Sequence, residues 1–165
     1  APQIANANAE FRVDGGTDQT VRITHEGGDT VTVSNLEIVV SFSDSSKRSR
    51  LTGIPTVEIE PGDFDGDNIW DESGDGIGGA LASNEAGGDD AWSSGEALVF
   101  RIASGDVNVQ TGEKVFVTVV HDPSGKILLE RTLTATTNDL APPSPARALD
   151  APATNAPTWV VRART

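Results

Sequence analysis

The densest run of chemically capable side chains is Asp63-Phe64-Asp65-Gly66-Asp67-Asn68-Ile69-Trp70-Asp71-Glu72-Ser73-Gly74-Asp75. Carboxylates at alternate positions of a glycine-containing loop converge on a point, and hard oxygen ligands in sixes to eights are what Ca²⁺ takes. Asp63, Asp65, Asp67 and Asp71 match the first, third, fifth and ninth positions of an EF-hand loop. Gly74, however, stands where the bidentate Glu belongs, Gly66 is displaced from the usual glycine position, and no helical pattern flanks the run. The spacing therefore predicts an Asp-rich Ca²⁺ loop outside the EF-hand class, with Asp63, Asp65, Asp67 and Asp71 as ligands and Asp75 as a fifth. The competing reading is an acidic loop that is solvated and holds no metal.

Little else points to catalysis. His25 and His121 both sit beside turn signals, there is no cysteine, and no nucleophile elbow, phosphate-binding loop or His-Glu-x-x-His motif occurs. His25 with Asp29, or His121 with Asp122, would suit acid–base work, but no neighbouring serine or metal site gives such a pair something to activate. The expectation is a protein that is not an enzyme, with both histidines satisfied in turns.

The charge balance narrows the partners. Asp and Glu number 25 against 12 Lys and Arg, a formal net charge of -13. Such a surface repels nucleic acid and anionic membranes. Only Lys47, Lys114 and Lys126 are lysines, the other basic residues being arginine, a palette suited to high salt. In molar salt the Debye length is about 3 Å, so neighbouring carboxylates stop repelling one another. No run of 18 apolar residues occurs, so no segment reads as a membrane-spanning helix. The absence of methionine places Ala1 downstream of a start codon, and any anchor is expected to precede it.

The elements that must position these residues are strands. Phe11–Val13, Val21–His25, Leu36–Phe42, Thr56–Ile59, Ala97–Ile102, Lys114–Val120 and Lys126–Leu133 alternate or are β-branched, with glycine turns such as Gly15-Gly16 and Gly27-Gly28-Asp29 between them. His121-Asp122-Pro123-Ser124-Gly125 reads as a hairpin turn. The fold expected is all-β, an antiparallel immunoglobulin-like sandwich of seven to nine strands. Residues 1–9 read as a stalk and 10–140 as the sandwich, with an acidic loop insertion at 62–95 that Trp70 and Trp92 anchor. Residues 141–157 form a Pro-rich tether and 158–165 a C-terminal strand, used at home or donated to a neighbour.

Val21-Arg22-Ile23-Thr24-His25-Glu26-Gly27-Gly28-Asp29-Thr30-Val31, followed by Ser34-Asn35-Leu36-Glu37-Ile38, resembles the signature of haloarchaeal type IV pilins, a superfamily that includes archaellins. Ala1-Pro2-Gln3, Trp92–Leu98 and Val117–Leu128 resemble the same family, so the likeness covers most of residues 9–135. It implies an extracellular, cell-surface filament built from identical subunits, with the sandwich facing outward and serving adhesion, biofilm formation or motility. The hydrophobic assembly helix that the family carries is not in this sequence, and the tail from Ala141 is longer and richer in proline than the family pattern. The alternatives are a secreted calcium-dependent binding module and a filament assembled by strand donation.

Overall fold

The computed structural model describes residues 2–13, 19–84 and 90–137; the expected tether and C-terminal strand lie outside the described residues. Eleven strands follow in order: β1 (Ile4–Val13), β2 (Gln19–Gly28), β3 (Val31–Thr32), β4 (Leu36–Phe42), β5 (Arg48–Leu51), β6 (Phe64–Gly66), β7 (Ile77–Gly79), β8 (Ala91–Trp92), β9 (Ala97–Arg101), β10 (Lys114–His121) and β11 (Lys126–Thr137). Nine of them form one curled sheet, ordered β6-β5-β4-β10-β11-β1-β2-β9-β7, and β3 pairs with β8 alone. All ladders are antiparallel except β1 with β11, where Phe11, Arg12 and Val13 run beside Ala135, Thr136 and Thr137. Bent at that parallel junction, the sheet becomes two layers, β7-β9-β2-β1 against β11-β10-β4-β5-β6. This is the strand order of a variable-type immunoglobulin sandwich, and the expected fold class holds.

Period-two patterning builds each layer. In β4, Leu36, Ile38, Val40 and Phe42 are buried while Glu37, Val39 and Ser41 look outward. Val115, Val117 and Val119 of β10 meet them from the next strand, and Val21 and Ile23 of β2 with Leu98 and Phe100 of β9 come from the other layer into the same core. One buried amide side chain has all its partners inside the fold. Gln19 is buried; its amide donates to the carbonyls of Ile102 and Val107 at 3.1 and 2.8 Å, and its oxygen accepts from the Val109 amide at 2.7 Å. One side chain thus fixes the irregular link between β9 and β10 to the start of β2.

Three expectations about elements are corrected. Residues 4–9 are strand and not stalk, because Ala7 and Ala9 pack against the core while β2 supplies the backbone partners. Thr56–Ile59 is not a strand. Only Thr56 bridges, to Ala82; Ile59 is buried but Val57 is half exposed, and Pro55 and Pro61 bracket the run. The acidic insertion 62–95 is not a loop laid over the domain, since it contributes β6, β7 and β8 and buries Ile69, Trp70, Ile77, Leu81 and Trp92.

Trp70 and Trp92 are core anchors, as expected. Trp70 Nε1 donates to Ser49 Oγ at 2.8 Å and its ring meets Phe100 edge-on at 5.5 Å. The hairpin turn after β10 also stands where the sequence places it, with Gly125 at φ 69 and its amide donating to the His121 carbonyl at 2.8 Å.

Candidate functional site

The carboxylates of Asp63, Asp67 and Asp71 are dispersed over turns and strand edges that they themselves hold. Asp63 Oδ2 accepts from the Glu60 amide at 2.9 Å, and the Asp63 carbonyl takes the amides of Thr52 and Gly53 at 2.7 and 2.9 Å. Gly53 is required there, because a Cβ on it would stand 2.2 Å from the Asp63 carboxylate. Asp65 lies in β6 opposite Arg50 of β5, and its carbonyl accepts from Ser49 Oγ at 3.2 Å. Gly66, at φ 102, then turns the chain back so that Asp67 Oδ2 accepts the Arg48 amide at 2.8 Å. Asp71 Oδ1 accepts from the Ser73 amide at 3.0 Å, a local Asx turn. Asp75 falls in the short 3-10 turn Gly74–Gly76, and its side chain is outside what the structure describes. Among the described residues, no group of three or more His, Cys, Asp or Glu side chains stands as a metal site would require.

Charge does gather on the outer face of the β4–β5–β6 layer, in a way no linear spacing announces. Glu37 of β4 meets Arg50 Nη1 at 3.3 Å. Burial, a hydrogen bond shared with the Asp122 side chain and the charge of Asp122 hold the Glu37 carboxyl above its ordinary range. Asp65 adds to that rise and Arg50 opposes it. Asp65 thus acts on β4 through its charge, as Asp67 acts on β5 through a hydrogen bond.

A second polar centre is built by the Val21–Val31 motif. His25 is wholly buried and its Nε2 lies 2.7 Å from the Asp29 carbonyl. A carbonyl only accepts, so Nε2 carries a proton, while Nδ1 is buried with no hydrogen-bond partner among the described residues. Trp92 closes edge-on over the imidazole at 5.2 Å and donates through Nε1 to the Glu96 carbonyl at 3.0 Å. The His25 backbone joins the same turn, its amide donating to the Glu96 carbonyl at 2.9 Å and its carbonyl accepting from the Gly95 amide at 2.7 Å. Asp29 passes the connection to the start of the chain: its Oδ2 accepts from the Gln3 amide at 3.0 Å, and its own amide donates to the Gln3 carbonyl at 2.8 Å. Gly28, at φ 115, lets that strand approach, since a Cβ there would meet the Gln3 carbonyl at 2.5 Å.

The histidine expectations divide accordingly. His121 is the satisfied turn histidine, with Nδ1 2.8 Å from Ser124 Oγ. His25 is instead a core residue of a strand. What the geometry can do is mechanical: it holds Gln3 and Ile4 against the sandwich through backbone and side-chain bonds together. Compared with known protein families and with curated proteins, the chain matches none.

Proposed function

We propose that the domain is the outward-facing part of a cell-surface filament subunit, with its first residues held rigidly to the sandwich. The observation that carries this reading is the clamp of Gln3 by Asp29, His25 and Gly28. The residues that resemble the pilin signature are the ones that fix the first strand to the body of the sandwich. Because β1 begins at Ile4 and pairs with β2 along its whole length, force applied at the start of the chain passes into a sheet along β1. A structural subunit under load would use that stiffness. The acidic surface, with a formal net charge of -13, suits exposure to concentrated salt.

Immunogold labelling of intact source cells with antibody raised against this domain tests the reading. Gold along filaments, lost on deletion of the gene together with the filaments, is the expected outcome. Label confined to the medium or spread evenly over the cell envelope would overturn it.

A further inference from the structure

The two layers of the sandwich are joined along β1 and β11 by three residue pairs at one end of those strands. Carried back along the same register, Ile4 stands opposite Leu128 and Glu10 opposite Thr134, yet no ladder forms there. Half of the backbone N–H and C=O groups in Ile4–Glu10 and in Leu128–Thr134 therefore point into a seam that, among the described residues, has no strand in it. Side-chain exposure along β11 fits such an opening. Leu129, Arg131 and Leu133 face inward together, opposite Val119, Val117 and Val115 of β10; the two leucines are buried but Arg131 is exposed. Two surface hollows flank the seam. One, of roughly 320 Å³, lies among Gln3, Ile4, Ile127 and Leu128; the other, of roughly 350 Å³, lies among Glu10, Arg12, Thr132 and Thr134. Ile127 at the first is 57% exposed.

Paired backbone edges of this length attract a strand, and the sequence offers a further segment of strand pattern. Thr158-Trp159-Val160-Val161-Arg162-Ala163 alternates so that Trp159, Val161 and Ala163 share one face and Thr158, Val160 and Arg162 the other. We infer that the seam between β1 and β11 is an acceptor for this C-terminal segment of the same chain, whose apolar face covers the open stretch around Arg131. The distance allows it. Residues 138–157 leave from the end of β11, which is the closed end of the seam, and about 20 residues at roughly 3.1 Å each outreach the ~23 Å of a seven-residue strand. A tethered strand also has an effective concentration in the millimolar range, above that of the same strand on a separate molecule. The inference goes beyond the filament reading and stands or falls without it.

The absence of cysteine gives a clean background for the test. Glu130→Cys, Thr132→Cys and Thr134→Cys, all on the outward face of β11, are each combined with Val160→Cys in the full chain and oxidised at micromolar protein. The expected result is one register that forms a disulfide within a monomer; disulfide-linked dimers, or no disulfide in any register, overturn the inference. Hydrogen exchange supplies a readout that needs no engineered bond. Amides in 4–10 and 126–134 should exchange at least about tenfold faster when residues 158–165 are removed, and unchanged exchange overturns the inference.

Discussion

The Asp-rich run and the His25 clamp are both polar, and they are built in opposite ways. In the run, Asp63, Asp67 and Asp71 spend their carboxylates on backbone amides at turns and edges nearby, each bond at or near the surface. In the clamp, one buried imidazole, one tryptophan and one aspartate tie together β2, the turn before β9 and the first residues of the chain. The region with many charges fastens its own turns and the neighbouring strand β5; the region with few joins the start of the chain, β2 and the turn before β9. Density of ligand-type side chains is a poor guide to tertiary consequence, since an exposed carboxylate is well solvated wherever it points whereas a buried ring is met only by the residues packed around it.

The comparison breaks first at Trp92. Trp92→Ala empties a fully buried site and removes the edge-on partner of His25, so it should cost about 3–5 kcal/mol. Denaturant unfolding at constant high salt measures it. A loss no larger than that of a single carboxylate substitution in the run would erase the distinction between the two regions.

Gly28→Ala comes next, because it places a side chain at φ 115 and drives a Cβ into the Gln3 carbonyl. A strained left-handed residue costs about 1–3 kcal/mol. Its more telling effect is local. Amides from Gln3 to Ala7 should exchange faster while those of β10 keep their protection, because the clamp acts on the first strand and not on the opposite layer.

Asp67 sharpens the other side. Asp67→Ala removes the acceptor for the Arg48 amide and should cost about 1 kcal/mol, whereas Asp67→Asn keeps an acceptor oxygen and should cost little. If the run instead held Ca²⁺, as its spacing suggests, Asn would lose nearly as much as Ala, and Ca²⁺ at fixed ionic strength would raise the melting temperature of the parent protein. Thermal melts of the three proteins with Ca²⁺ or with chelator separate these outcomes.

The sandwich was legible because Val, Ile, Leu and Phe at period two leave few alternatives for β4, β10 and β11. Residues 4–9 were not, since Ala and Asn carry weak strand preference and become strand only where β2 offers a partner. Thr56–Ile59 erred in the other direction, having the right residue types between two prolines that keep the run out of a ladder. In the run, alternate aspartates share a face only while the chain stays extended, and the positive φ of Gly66 ends that after three residues. The clamp was quoted in the sequence as a motif, but its purpose depended on Gln3 lying 26 positions from Asp29 along the chain and on Trp92 closing from another element.

The smallest expected effect concerns Glu37, the cross-strand acid that the run's own Asp65 helps to perturb. Its carboxyl is held above the ordinary range, chiefly by burial and then by Asp122, so the folded state binds this proton more tightly than the unfolded chain. The sign follows: stability from this group is fully present below the unfolded value near 4.5 and is lost as pH rises through the folded one. At neutral pH the charged Glu37 is a burden that Arg50 only partly relieves. Glu37→Gln carries no ionisable group there and keeps a polar partner for Asp122. The variant should therefore match or slightly exceed the parent at pH 7.5, by less than about 1 kcal/mol, and lose that advantage as pH approaches 5. Melting curves of both proteins in high salt across that interval check it; an advantage that grows as pH falls would mean that Arg50, and not burial beside Asp122, governs the site.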